Sequence, residues 1–213
     1  MISLREKKIK IDVPYFQQTR YSTCGIASLM MVIKYWDKTF ELSKKNEFLL
    51  WIKSNPFIFL GGTLQFGLAK TALKKGLKTQ IYQKSKFSKI HPNKHKLIDL
   101  YEWIASYSAH QNKIPIYYHK NILDEIFISI EENIPPIVFL NLEPLVGENV
   151  LHWLVVTGFD EENVYVNDPY IPHGSLIKSK KNYLIKQNVF KRAIATDKIN
   201  GLRLPPCIVK IFK

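Results

Sequence analysis

Helical and extended patterns occupy different parts of this chain, and that segregation limits the fold more than any other feature. Apolar residues recur at spacings of three and four from Cys24 to Trp36, which is typical of a helix with one buried face. Strand patterns are concentrated much later, at 136–142, 151–159 and 164–167. Strands that do not alternate with helices cannot build the βαβ units of a parallel sheet, so we expect an α+β fold.

The other elements are consistent with a single domain. Further helices are predicted near 45–53, 96–107, 122–133 and 183–195, and a final strand at 208–212. Residues 84–96 are polar and rich in lysine, which predicts an exposed loop. Because 213 residues fall within the size range of one domain, we expect residues 1–213 to form one unit.

The charge of the chain is strongly positive and comes almost entirely from lysine. There are 31 Lys and Arg residues against 18 Asp and Glu, a net charge of +13. Only four of the 31 are arginine, the residue favoured for bidentate recognition of phosphates and bases. We therefore expect no specific nucleic-acid binding, and attribute the charge to an acidic partner or to solubility.

Cysteine content and hydropathy indicate a protein of a reducing compartment. Cys24 and Cys207 are too few for a disulfide framework. The N-terminal residues are charged and contain no apolar signal region, and no apolar run approaches the roughly 20 residues of a membrane span. We expect a cytoplasmic protein without a membrane span.

Cys24 is the first candidate for chemistry. Ser22 or Thr23 can cap the helix that follows, which places the thiol in the first turn. There the positive end of the helix dipole lowers the pKa of a thiol and favours the reactive thiolate. The alternative is that Cys24 is a small buried apolar residue.

His152 and Asp168 form the second candidate pair. Asp160-Glu161-Glu162-Asn163 has turn chemistry, so the flanking strands are predicted to form a hairpin in which His152 and Asp168 lie opposite each other. Both strands are apolar on both faces, which indicates that they are central and covered. A His and an Asp in such strands need partners, as a catalytic or as a purely structural pair.

Gln18 completes an ordered set with these three residues. Acyl transfer through a thiolate builds an oxyanion, which requires two hydrogen-bond donors. The backbone N–H of Cys24 and the side-chain amide of Gln18 can provide them. In such a set His152 takes the thiol proton and Asp168 orients the imidazole.

The segments that contain this set resemble a known family. VPYFQQTRYSTCGIASLMMVIKYW, GGTLQFGLAKTALKKGLKTQIY, PPIVFL and HWLVVTGFDEENVYVNDP are similar to the bacteriocin-processing, double-glycine-leader peptidases, within the papain-like cysteine peptidases. The resemblance implies a papain-like α+β fold with Cys24 as nucleophile, His152 as base, Asp168 as orienting acid and Gln18 as oxyanion donor. The sequence differs from the family at Thr23, where many members have Asp. It also has a longer stretch before His152, which indicates an insertion around residues 84–120.

The function we expect is cleavage of a peptide bond in a peptide or protein substrate, without metal or cofactor. The resemblance implies cutting after small residues such as Gly-Gly. Two alternatives remain open: a thiol acyltransferase with the same residues, and a catalytically silent module that binds an acidic peptide or partner. His91 and His95 are four residues apart, but Pro92 argues against a helix there and therefore against a metal site.

Overall fold

The computed structural model describes residues 8–55, 62–85, 88–89, 96–195, 198–199, 202–203 and 205–213. The described helices are α1 (Cys24–Trp36), α2 (Lys44–Ser54), α3 (Gln65–Leu73), α4 (Lys96–Gln111), α5 (Ile122–Glu131), α6 (Glu143–Val146) and α7 (Gln187–Ala195). The described strands are β1 (Ile9–Lys10), β2 (Lys78–Gln83), β3 (Ser88–Lys89), β4 (Ile116–Tyr118), β5 (Ile137–Asn141), β6 (Leu151–Phe159), β7 (Asn163–Asn167), β8 (Tyr183–Lys186), β9 (Lys198–Ile199), β10 (Leu202–Arg203) and β11 (Cys207–Phe212).

Eight of these strands form one sheet, in the order β4-β2-β11-β5-β6-β7-β8, with β1 added beside β6. Every pairing is antiparallel except that of β2 with β4. The last strand of the chain, β11, lies in the interior of the sheet between β2 and β5. The predominantly antiparallel pairing confirms the α+β prediction, although α4 to α7 are interleaved with the strands and do not all precede them as the sequence pattern predicted.

Helix α1 is buried over most of its length and packs on the sheet. Its ten residues from Cys24 to Ile33 are all buried, and it lies against β6 and β5. Residues on every side of α1 are apolar or small, so the helix can be surrounded by α2, α3 and the sheet. The predicted bounds of Cys24 to Trp36 are confirmed.

The β6–β7 hairpin forms as predicted, but its register is different. Val155 pairs with Asn167, and a bulge between Val156 and Gly158 shifts the pairing nearer the turn. Asp168 lies just beyond the ladder and is not directly opposite His152, because the bulge and the turn position move the register. The predicted direct pairing is therefore wrong, although β6 and β7 are central and buried as expected.

The segment 183–195 also differs from its prediction. Only Gln187–Ala195 is helical, as α7, and residues Tyr183–Lys186 form β8 at the edge of the sheet. The backbone of these four residues pairs with β7, so tertiary hydrogen bonding overrides the helical spacing of their apolar side chains.

Candidate active site

Three elements converge at one point of the fold. Helix α1 begins there with Cys24, β6 begins there with Leu151 and His152, and β7 ends there just before Asp168. The side chains of Cys24 and His152 line the same cavity, and interaction with His152 lowers the pKa of the thiol. His152 Nε2 lies 2.7 Å from Asp168 Oδ1, and both side chains are buried. The structure therefore brings the thiol, the imidazole and the carboxylate together in one buried cluster.

Electrostatics favour an ion pair between the first two groups. Burial opposes ionisation of Cys24, but the hydrogen bond and charge of His152 and nearby backbone N–H groups outweigh it, so the pKa of the thiol lies below its ordinary value. Burial also disfavours the imidazolium, but the charge and hydrogen bond of Asp168 outweigh it and raise the pKa of His152 to about 10. The thiolate of Cys24 and the imidazolium of His152 therefore stabilise each other.

Asp168 is held from several sides, and one of its partners is a buried lysine. Lys180 Nζ lies 2.8 Å from Asp168 Oδ2, and the lysine side chain is only 7% exposed. The backbone N–H of Tyr170 donates to Oδ1 at 2.9 Å. Burial alone would raise the pKa of Asp168, but the charges and hydrogen bonds of His152 and Lys180 lower it to about 2. The carboxylate is therefore ionised throughout the neutral range.

The segment before α1 is fixed by another buried charge, Glu47 of α2. Glu47 accepts hydrogen bonds from the N–H and hydroxyl of Thr19, the N–H at 2.9 Å. The hydrogen of the Thr23 hydroxyl is shared between Glu47 Oε1 at 2.6 Å and the Arg20 carbonyl at 2.8 Å. Thr23 is the N-cap residue of α1, but its side chain makes no capping hydrogen bond. The predicted capping by Ser22 or Thr23 is therefore wrong, because this hydroxyl is bound to the buried carboxylate.

Gly25 allows β6 to approach the start of α1 closely. A Cβ at this position would lie 3.0 Å from Trp153 Cδ1, which is tighter than most contacts. The indole N–H of Trp153 donates to the Thr63 carbonyl at 2.9 Å, and the hydroxyl of Ser28 donates to the Trp153 carbonyl at 3.3 Å. The Cys24-Gly25 pair thus places the thiol next to the strand that contains His152.

Gln18 lies beside the thiol, but its amide is engaged elsewhere. Its Nε2 donates to the carbonyls of Arg20 and Tyr21 at 2.9 and 3.1 Å, and its Oε1 is buried with no partner among the described residues. Donation to an oxyanion at Cys24 therefore requires the amide to exchange one of these carbonyls for the substrate oxygen.

A cavity of about 180 Å³ opens at the thiol. Its lining combines the segment before α1 with the loop before β6 and Tyr170: Gln18, Tyr21, Ser22, Cys24, Gly62, Leu142, Glu148, Val150, Leu151, His152 and Tyr170. The other cysteine, Cys207, is buried in β11, and burial raises its pKa. The environments of the two thiols therefore shift their pKa values in opposite directions, downward for Cys24 and upward for Cys207.

Two site residues, Lys180 and Glu47, were not found by sequence reasoning. Lys180 belongs to the run Lys178-Ser179-Lys180-Lys181, which is typical of a solvated loop. Glu47 lies in a helix with many charged residues, where a carboxylate is normally exposed. Neither position has a signal in a single sequence that separates it from its exposed neighbours.

Within the described residues, no three His, Cys, Asp or Glu side chains are grouped so that they could hold a metal ion. His91 and His95 lie outside the described residues. No described helix is both long enough and apolar enough to span a membrane.

Comparison with known proteins places the chain in a family. A family model described as Peptidase_C39 like matches residues 13–199, which is most of the chain. The chain belongs to the Peptidase_C39 like family. None of the curated protein sequences matches it.

Two solved structures resemble this C39-like chain. A Bacillus anthracis protein assigned as a C39-like peptidase is 15% identical, with a TM-score of 0.56, covering 98% of this chain and 99% of its own. A double glycine motif protease from an AMS/PCAT transporter, solved with its leader peptide, is 19% identical, with a TM-score of 0.46, covering 96% and 99%. The match to the Bacillus anthracis structure confirms the predicted papain-like α+β fold.

Proposed function

We propose that this C39-like chain is a cysteine peptidase in which Cys24 is the nucleophile, His152 the general acid and base, and Asp168 the residue that orients the imidazole. The observation that carries the proposal is the buried cluster of Cys24, His152 and Asp168, with 2.7 Å between His152 Nε2 and Asp168 Oδ1. The lowered pKa of Cys24 and the raised pKa of His152 support an activated thiol paired with an imidazolium. Membership of a peptidase-like family supports the same reaction.

Acylation follows from this arrangement. The Cys24 thiolate attacks the carbonyl carbon of the scissile peptide bond, so that a C–S bond forms and the carbonyl π electrons move to the oxygen. The imidazolium of His152 then donates its proton to the leaving nitrogen. The C–N bond breaks, the amine product leaves, and the acyl group remains as a thioester on Cys24.

Deacylation uses the same residues in reverse. Neutral His152 removes a proton from a water molecule, whose oxygen attacks the thioester carbonyl. The C–S bond breaks, the carboxylic acid product leaves, and the thiolate–imidazolium pair is restored. Asp168 keeps the imidazole in one orientation and tautomer through both steps.

The oxyanion of each step needs two donors. The backbone N–H of Cys24 at the start of α1 is one, and the side-chain amide of Gln18 is the other. Gln18 lines the cavity at the thiol, which supports this role, and its Nε2 turns from a loop carbonyl to the substrate oxygen as the intermediate forms.

The shape of the cavity supports a substrate with small residues at the scissile bond. Its volume of about 180 Å³ is small, and Tyr21, Leu142 and Tyr170 contribute bulky walls. A Gly-Gly sequence brings its backbone to the thiol without a side chain to accommodate.

The test is cleavage of a peptide set that contains Gly-Gly, Ala-Gly and Leu-Leu centres, followed by liquid chromatography and mass spectrometry. We expect cleavage after Gly-Gly by the wild type and by Cys207→Ala, and a loss of at least about a thousand-fold in Cys24→Ala. Equal turnover by Cys24→Ala would refute the role of this thiol.

The same assay with an added primary amine separates hydrolysis from acyl transfer. Hydrolysis gives a free carboxylate, whereas transfer gives an amide with the added amine. An excess of amide product would contradict the peptidase assignment in favour of an acyltransferase. Absence of both products over the whole set would favour a silent binding module.

A further inference from the structure

A second depression adjoins the cavity at the thiol. It has a volume of about 760 Å³ and shares Gln18, Tyr21 and Tyr170 with that cavity. One wall is the segment before α1 and the other is the loop after Asp168. We call it the basic groove, and it is lined by residues 17–21, residues 170–175, Ile177 and Lys178. A peptide that leaves the thiol on this side lies along the basic groove.

Both walls of the basic groove are fixed by hydrogen bonds. The N–H of Gln18 donates to the Pro169 carbonyl at 3.0 Å and joins the walls. The loop 169–179 is closed at its base, because Asp168 N–H donates to the Lys180 carbonyl at 3.2 Å and Lys180 Nζ lies 2.8 Å from Asp168 Oδ2. The groove is therefore preformed, and a ligand does not need to order its walls.

The charge on the groove has one sign. The lining contains two cationic side chains, Arg20 and Lys178, and one histidine, His173. All three are exposed, and the lining contains no carboxylate. The guanidinium of Arg20 lies over the Phe48 ring, 4.9 Å from its centroid, which restricts its position. In the described part of the chain neither Arg20 nor Lys178 forms an ion pair.

The carboxylates nearest to the groove do not neutralise it. Glu47 is buried and bound to Thr19 and Thr23, and Asp168 is buried and bound to His152 and Lys180. Glu148, in contrast, is exposed and lines the cavity at the thiol but not the basic groove. The two depressions therefore differ in charge: the basic groove has cations and no carboxylate, whereas the cavity at the thiol has Glu148.

We propose that the basic groove binds an acidic stretch of the peptide substrate, on one side of the scissile bond only. This inference rests on the proposed peptidase function for the position of the scissile bond. Arg20 and Lys178 contact the acidic side chains, while Glu148 repels the same residues from the cavity side. Exposed pairs of this kind are individually weak and mainly give orientation and selectivity, so the effect of both cations together is about three- to ten-fold in affinity at low salt.

Binding is measured with the full chain as Cys24→Ser, which retains the groove and does not cleave by the proposed route. The probes are fluorescein-labelled dodecapeptides with a central Gly-Gly and four glutamates before it, four glutamates after it, or four lysines at either place. Fluorescence anisotropy is recorded at 50 mM and 300 mM NaCl. We expect one of the two glutamate peptides to bind at least about ten-fold more tightly than the corresponding lysine peptide, with the difference reduced at high salt.

Two variants of this protein locate the binding. Arg20→Gln with Lys178→Gln should weaken the tighter glutamate peptide by about three- to ten-fold. Lys74→Gln with Lys113→Gln removes the same charge from exposed positions that line neither depression, and should change affinity less than two-fold. Equal losses in the two double variants, equal binding of both glutamate placements, or tighter binding of lysine peptides would overturn the proposal.

A single-stranded DNA 12-mer serves as competitor. If it displaces the glutamate peptide and its own binding is weakened equally by the groove substitutions, the groove is a general polyanion surface and the proposal is wrong. Measuring peptide cleavage by the wild type distinguishes a failure of the peptidase proposal from a failure of the groove proposal. Groove-dependent binding without cleavage refutes the peptidase function alone, whereas cleavage that ignores both peptide charge and the groove variants refutes the groove alone.

Discussion

Replacing Lys180 by Met tests whether the buried lysine sets the titration of the thiol–imidazole pair. Methionine is close to lysine in length and apolar, so it fills the space without the charge. Lys180 and His152 bind the two oxygens of Asp168 at 2.8 and 2.7 Å, and both are almost fully buried. Removing the positive charge of Lys180 removes its repulsion of the His152 imidazolium and its attraction for the Cys24 thiolate. The pKa of His152 and that of Cys24 should therefore both rise.

The size of the shift follows from the geometry. Two cations that share one carboxylate lie roughly 6 Å apart, at which an effective dielectric constant of about 20 gives a repulsion of about 3 kcal/mol. That energy corresponds to about two pKa units for His152, and to about one unit for the more distant thiol. Tyr15 and Tyr170 also face Asp168, but burial raises the pKa of both, so they remain neutral and do not compensate.

The assay is the rate of Cys24 alkylation by iodoacetamide between pH 4 and 11, followed by peptide mass spectrometry. The coupled pair gives two macroscopic steps. In Lys180→Met we expect the lower step to move to higher pH and the upper step to move beyond the top of this range, while Lys180→Arg, which keeps the charge, leaves both within about 0.3 units. A uniformly slower rate with unshifted steps would refute the reasoning, since a structural role alone lowers the rate without moving the titration.

Three further outcomes follow from the site and the fold. Asp168→Asn should slow peptide cleavage less than Cys24→Ala does, because the hairpin partly keeps the imidazole in place; equal losses of kcat/KM would contradict this. Glu47→Gln should lower the free energy of unfolding by about 1–3 kcal/mol in urea titrations, since an amide cannot accept all the hydrogen bonds of the carboxylate, and an unchanged midpoint would argue against that. Gly158→Ala should lower the Tm, because its Cβ would lie 2.2 Å from the Ile9 carbonyl oxygen; a wild-type Tm would mean that β1 moves away freely.

Much of the fold could be predicted because its main signals are local. Apolar residues in α1 recur at spacings of three and four, which is a helical and not a strand pattern, and the bounds of the helix match the prediction from Cys24 to Trp36. Strand β6 is apolar on both faces, and it lies buried in the interior of the sheet. The bulge after Val156 has no comparable signal, so the direct pairing of His152 with Asp168 was wrong even though their side chains meet.

The candidate site was only partly predictable for a related reason. Cys24, His152 and Asp168 are polar or reactive residues within apolar segments, where such side chains are uncommon, so the sequence alone identifies them as candidate site residues. Lys180 and Glu47 are types that normally face solvent, and only the fold shows that they are buried against Asp168 and the segment before α1. The orientation of the Gln18 amide is set by hydrogen bonds to two backbone carbonyls, and a pattern of side chains in the sequence cannot predict such bonds.

The central claim is that His152 activates Cys24, and limited alkylation tests it most directly. The protein is treated at pH 6.5 with less iodoacetamide than protein, and modification of Cys24 and Cys207 is quantified in the wild type and in His152→Ala. We expect Cys24 to be modified at least about fifty-fold faster than Cys207, and His152→Ala to remove most of this difference while the thermal transition remains cooperative. Slow and equal labelling of both thiols in the wild type would contradict the claim.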